Sequence, residues 1–176
     1  MKRIFIYSLM LTCMLKAPLY SDVSTAHSEQ PKRAVALLNP TKGNRTSGTV
    51  TFTEVENGVL ITADVAFLEP GKHAFTIHEF GDCSAPDGSS IGGHFNPTKS
   101  RKHGGPNHLK RHAGDLGNIA SDTMQHGHYE RVDSMITLEG PHSIIGKAIA
   151  IHANADDFTT QPHGNSGGCI SCGVIE

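Results

Sequence analysis

The chain has 176 residues, a formal charge of −2, 37% apolar residues, 19 Gly, no Trp, and 12 His against 15 Lys plus Arg. That length fits one compact domain, and the short, scattered apolar runs exclude a long coiled coil or a membrane bundle. Near-neutral charge with dispersed Lys and Arg argues against a nucleic-acid partner, which would require a basic face.

In chain order, Lys2 and Arg3 precede an apolar run over 4–15. That run is about half the ~20 residues that span a bilayer, so 1–26 reads as a signal peptide and not as a membrane span. Ser24 and Ala26 supply small residues at the cleavage site. Cys13, after Thr12, leaves a poorly fitting lipoprotein alternative. The mature domain is then 27–176, exported to a periplasmic or extracellular compartment. Three cysteines remain in it, Cys83, Cys169 and Cys172. An oxidising compartment predicts one disulfide with one thiol left over.

Strand patterns dominate the first third of the mature chain. The segments 33–38, 48–55 and 59–65 read as strands, with Val59, Ile61, Ala63 and Val65 alternating against Thr62 and Asp64. Asn57-Gly58 suggests a hairpin turn. Further strands are expected at 73–78, 132–138, 144–152 and 170–175, with His126-Gly127-His128 in a turn. Two long loops, 79–115 and 153–169, complete an antiparallel barrel or sandwich. A loop as long as the first needs something other than a core to organise it.

That loop holds His94, His103, His112 and Asp115. A single His is more often a surface residue than a ligand, but three imidazoles and one carboxylate make a closed four-coordinate shell suited to Zn(II).

The flanking motifs carry a family resemblance. His78-Glu79-Phe80-Gly81-Asp82, Gly93-His94-Phe95-Asn96-Pro97, Arg101-Lys102-His103-Gly104-Gly105-Pro106, Arg111-His112-Ala113-Gly114-Asp115-Leu116-Gly117-Asn118, Ile151-His152 with Ala155-Asp156-Asp157, and Cys172-Gly173-Val174-Ile175 stand in the family's order. Over nearly the whole mature chain the sequence resembles the copper-zinc superoxide dismutases. The resemblance implies an all-β, eight-stranded Greek-key barrel, related to the immunoglobulin-like sandwiches, with one loop ordered by zinc. It implies one zinc held by His94, His103, His112 and Asp115, and one copper held by His78, His94 and His152, with His94 bridging the two. It also implies that Asp156 links a zinc histidine to a copper histidine, that Cys83 and Cys172 form the disulfide, that His73 is structural, and that homodimers form. The implied reaction is disproportionation of superoxide anion to dioxygen and hydrogen peroxide.

Two positions depart from the family. Its copper motif is His-x-His, whereas this chain reads Thr76-Ile77-His78. Thr is a poor ligand for Cu(II), so three histidines would hold copper weakly. Where the family has Gly-Ser-Arg, with the Arg guiding the anion, this chain reads Gly167-Gly168-Cys169, and no Lys or Arg follows Ala153. Another loop would have to supply the positive charge. Cys169 itself can be read as a copper ligand, a free thiol or an alternative partner for Cys83. His163, like His108 and His142, has no ligand-spaced partner. The expected function is an exported superoxide dismutase of impaired activity. The alternatives are a non-catalytic, zinc-stabilised protein that binds or passes on copper, and a structural domain keeping zinc alone. Retention of His78, His152 and Asp156 speaks against the last.

Overall fold

The computed structural model describes residues 32–99 and 101–176; the signal peptide expected over 1–26 lies outside the described residues. Eight strands form the domain: β1 (Arg33–Pro40), β2 (Ser47–Val55), β3 (Gly58–Ala66), β4 (Gly71–His78), β5 (Asp115–Ser121), β6 (His126–Asp133), β7 (Ala148–His152) and β8 (Cys169–Val174). All pairings are antiparallel, and the order β1-β2-β3-β6-β5-β4-β7-β8 closes into a barrel through β8 and β1. Strands β3 and β4 follow each other in the chain but are not neighbours, which gives the Greek-key connection. Among the described residues, no helix is long and apolar enough to cross a membrane.

The period-2 pattern read in β3 holds: Val59, Ile61, Ala63 and Val65 all enter the core. They meet Phe52, Phe75, Ile77, Ile119, Ile149 and Ile151, and Phe75 packs edge-on against Tyr129 with ring centroids 4.9 Å apart. The β2–β3 hairpin turns at 56–57, one residue earlier than Asn57-Gly58, because Gly58 already pairs with Val55. A Cβ at Gly58 would lie 2.3 Å from the Asp133 carbonyl oxygen, so this strand start accepts only glycine.

Three expectations for the second half are corrected. Strand β5 occupies Asp115–Ser121, which Gly117 and Asn118 disguise as loop, so the first long loop ends at 114. Strand β6 is His126–Asp133 rather than 132–138; its inward positions include Gly127, Tyr129 and Asp133, a set that carries no apolar alternation. His126-Gly127-His128 therefore begins a strand instead of making a turn, and Ile136 and Leu138 are buried from irregular chain after it. Strand β7 is shorter than 144–152 and starts at Ala148, with Ile144 reaching the core from the preceding connection.

All five residues of β7 are buried because loops cover its outer face. On that face Ala148, Ala150, Ile91 and Cys172 form a second, smaller core, with Cys83 and Cys169 packed against it. The disulfide Cys83–Cys172 joins the first loop to β8 across 89 residues of sequence. Closing so long a loop restricts the unfolded chain. Replacing both cysteines with Ala is expected to lower stability by about 2 to 5 kcal/mol in denaturant titration of the oxidised protein.

Candidate metal centre

The outer faces of β4 and β7, roofed by the loops 79–114 and 153–168, carry the site. Phe75 and Ile77 point into the core, so Thr76 and His78 point the other way, under the loops. His152 ends β7 beside them. A backbone stitch brings the first loop onto β4: Ile77 N–H donates to the Gly114 carbonyl, Phe95 N–H to that of Ile77, and Gly114 N–H to that of Phe95. A Cβ at Gly114 would lie 2.1 Å from the Ile77 oxygen, so only glycine permits this approach. The stitch places His94 opposite His78 in an isolated bridge, and Asp115 opposite Thr76 in the β4–β5 ladder.

Asp115 gathers the first group. Its Oδ1 lies 2.7 Å from His94 Nδ1, 3.1 Å from His103 Nδ1 and 3.2 Å from His112 Nδ1. Its Oδ2 accepts the backbone N–H of Gly104 at 3.0 Å and of His112 at 2.9 Å. All four side chains are buried, and one ligand atom from each lies within 4.8 Å of the others. Burial opposes the Asp115 charge, but hydrogen bonds from His103, His112 and His94 outweigh it and hold the carboxyl well below the usual carboxylate range. Burial likewise opposes protonation of His103, yet the close Asp115 carboxylate and the hydrogen bond to Asp156 lift it to about 9. Three imidazoles converging on a buried carboxylate can hold one divalent cation of zinc's preferences.

His78, His94 and His152 form the second group, again within 4.8 Å. His78 Nδ1 donates to the Gly92 carbonyl at 2.9 Å and His152 Nδ1 to that of Gly167 at 3.3 Å. These bonds fix the tautomers and leave both Nε2 atoms as acceptors, 3.2 Å apart. Burial, then the neighbouring imidazoles, push both residues toward the neutral form, His152 down to about 4. His94 Nε2 is buried without a hydrogen-bond partner. The two Nε2 acceptors and the partnerless His94 Nε2 thus share one buried space, where the Thr76 hydroxyl lies 2.9 Å from His78 Nε2 and 3.0 Å from His152 Nε2. Such a donor set fits a soft or borderline cation such as copper. His94 belongs to both groups and offers a different nitrogen to each.

A match to the family model of copper/zinc superoxide dismutase covers residues 46–175. The chain belongs to the copper/zinc superoxide dismutase family. It is also similar to a solved structure, the crystal structure of the clock protein EA4, at 41% identity over 84% of this chain and 95% of that one, with a TM-score of 0.75.

Within that family frame, several residues behave in ways the sequence did not reveal. Asp156 Oδ1 accepts from His103 Nε2 at 2.8 Å, while its Oδ2 is buried with no partner. Neither His78 nor His152 reaches it, since both Nδ1 atoms are engaged by backbone carbonyls. His73 bonds the carbonyls of His152 and Glu69, a structural position away from the cluster. Cys169 stands outside both groups: it is a free thiol, bonded to the Ser171 carbonyl at 3.3 Å and packed against Gly88. Burial pushes its thiol up to about 11, so the thiolate is disfavoured. The cavity beside His78 and His152, 440 Å³ in volume, is lined by Asp87, Cys169 and loop residues 160–163 and 165–168; among the described residues no Lys or Arg lines it. His163 also lines this cavity, and its ring centroid lies 4.7 Å from that of His94, so it has a partner that sequence spacing did not suggest.

Arg111, one of the largest fully buried side chains, was also hidden in the sequence. It pairs with Asp133 of β6 and donates to the carbonyls of Pro106, His112 and Ala113, pinning the chain on both sides of His112. The Arg111→Ala variant leaves Asp133 buried without this partner and is expected to lose about 3 to 5 kcal/mol of stability in urea titration. Metal-free protein has a pH signature as well. His103 sits above its ordinary value of 6.5, so its contribution is fully present below about 6.5 and lost as pH rises through about 9. The melting temperature of the chelated protein should fall across that window, and the fall should shrink in Asp156→Asn.

Proposed function

We propose that this chain is an exported superoxide dismutase, disproportionating superoxide to dioxygen and hydrogen peroxide, in which the zinc half is complete and the copper half is weakened. The observation carrying this reading is His94, whose Nδ1 meets Asp115 while its Nε2 is left partnerless for the group with His78 and His152. His94, His103, His112 and Asp115 would hold zinc; His78, His94 and His152 would hold copper. When bound, copper supplies the one-electron cycling that turns two superoxide anions and two protons into dioxygen and hydrogen peroxide. The protein's own part is to keep the copper-side imidazoles neutral by burial, to orient them through Gly92 and Gly167, and to offer His94 Nε2 as a proton-carrying atom. Asp156 orients His103 through Nε2 and so directs its Nδ1 at the zinc position. The disulfide supports an oxidising compartment, in keeping with export.

Thr76 favours a second reading, a non-catalytic member that binds or passes on copper. Its hydroxyl occupies the place of an imidazole, and among the described residues no Lys or Arg lines the cavity to draw in an anion. Electrostatic steering, for which this family is a standard example, raises on-rates by roughly 10 to 1000-fold.

The two readings separate in one experiment on the mature protein loaded with both metals, measuring metal content and superoxide removal beside Thr76→His. The variant restores an imidazole beside His78 and His152. Expected is low activity in the parent and a gain on the order of tenfold or more in the variant, the scale of metal-site substitutions. Equal, high activity in both would refute the weakened copper half, and none in either would favour the copper-binding reading.

A further inference from the structure

The second loop holds a histidine over the cluster by way of a constrained backbone. Gly164 N–H donates to the Thr160 carbonyl at 2.7 Å, Asp157 N–H to that of Gly164 at 2.9 Å, and Asn154 N–H to that of Ser166 at 2.8 Å. Asp157 ties the turn further by accepting the N–H groups of Thr159 and Thr160. Gly164 has φ +65°, and a Cβ there would lie 1.9 Å from Asp156 Oδ1 and 2.7 Å from His103 Nε2. The chain at 164 is therefore seated directly on the carboxylate behind the zinc group. His163, the residue before it, has its side chain committed to the space above the site. Its ring packs on His94 at 61° and shares the cavity wall with His78 and His152.

We propose that His163 is a copper ligand of this protein, supplying from the second loop the imidazole that Thr76 no longer supplies from β4. This rests on the copper-binding reading of His78, His94 and His152. Three imidazoles leave a Cu(II) ion short of the tetragonal field of four that it prefers. Cys169 is a poor candidate for the fourth place, because its thiol is directed to Ser171 and Gly88 and it stands outside both groups. Asp87, on the cavity wall, has its Oδ1 engaged by the Ser89 N–H. His163 is exposed and its imidazole is the remaining nitrogen donor on that wall. It does not belong to the group within 4.8 Å formed by the other three, so ligation requires its ring to turn from His94 toward the cavity. The pinned backbone leaves that movement to the two side-chain torsions.

The test uses full-length mature protein preloaded with zinc, titrated with Cu(II) alone, and compares the parent with His163→Ala and His163→Gln. Copper affinity is read by competition with a chelator, and the number of coordinated imidazoles by pulsed electron paramagnetic resonance. Loss of a partner behind a metal ligand costs about 10 to 100-fold in affinity, and loss of a ligand should cost no less. The expected result is a drop of at least tenfold in both variants, one imidazole fewer in the spectrum, and unchanged zinc content and melting temperature of the zinc form. In Thr76→His/His163→Ala the count returns to the parent's value. Unchanged affinity and imidazole count in both single variants would overturn the proposal while leaving the three-histidine site standing. Failure of the parent to bind copper at all would overturn both.

Discussion

One carboxylate oxygen organises the loop half of this barrel. Asp115 Oδ1 lies within 3.2 Å of three imidazole nitrogens from residues spread over 94–112. Its other oxygen holds the backbone at 104 and 112. Because Asp115 is also the first residue of β5 and the ladder partner of Thr76, the loop is gathered onto a point whose position the barrel itself sets. The loop has little apolar content with which to order itself, so polar convergence takes the part that a core takes elsewhere. Arg111 and the Cys83–Cys172 disulfide fasten the two flanks of the same loop.

The two groups that share His94 are electrostatic opposites. On the Asp115 side, a buried negative charge favours protons or a cation, and His103 is lifted accordingly. The group of His78 and His152 includes no carboxylate among the described residues, and burial with mutual proximity keeps these two imidazoles neutral. A single imidazole spanning both environments is thus held at Nδ1 by charge and left free at Nε2. The substitution at 76 acts on the neutral side, where a short hydroxyl lies 2.9 Å from one imidazole nitrogen and 3.0 Å from another. The zinc-type half keeps all its parts, so the fold does not depend on the half that changed.

Much of the fold was legible because its first half obeys simple patterning. In β3, strict alternation of Val59, Ile61, Ala63 and Val65 against polar residues signals one buried face, and the barrel buries that face. The second half broke the rule for physical reasons. Strand β6 turns Gly127, Tyr129 and Asp133 inward, Tyr129 satisfying its hydroxyl on the Leu116 carbonyl and Asp133 its charge on Arg111. Strand β5 starts with a buried Asp and carries Gly117 and Asn118. Strand β7 is buried on both faces, which erases alternation.

By itself the sequence determined the family, the His94, His103, His112 and Asp115 set, the His78 and His152 pair, and the two departures at Thr76 and Cys169, because long ordered motifs fix residue identity at each position. It could not decide what those departures mean in space. Tertiary structure decided that Cys169 faces Ser171 and Gly88, that no Lys or Arg among the described residues lines the cavity, and that Asp156 Oδ2 is buried without a partner. It also brought His163 from the far loop onto His94. These outcomes depend on the path of two irregular loops across the barrel wall, which hydrogen bonds, the close contacts of Gly114 and Gly164 and one disulfide fix, and which no periodicity encodes.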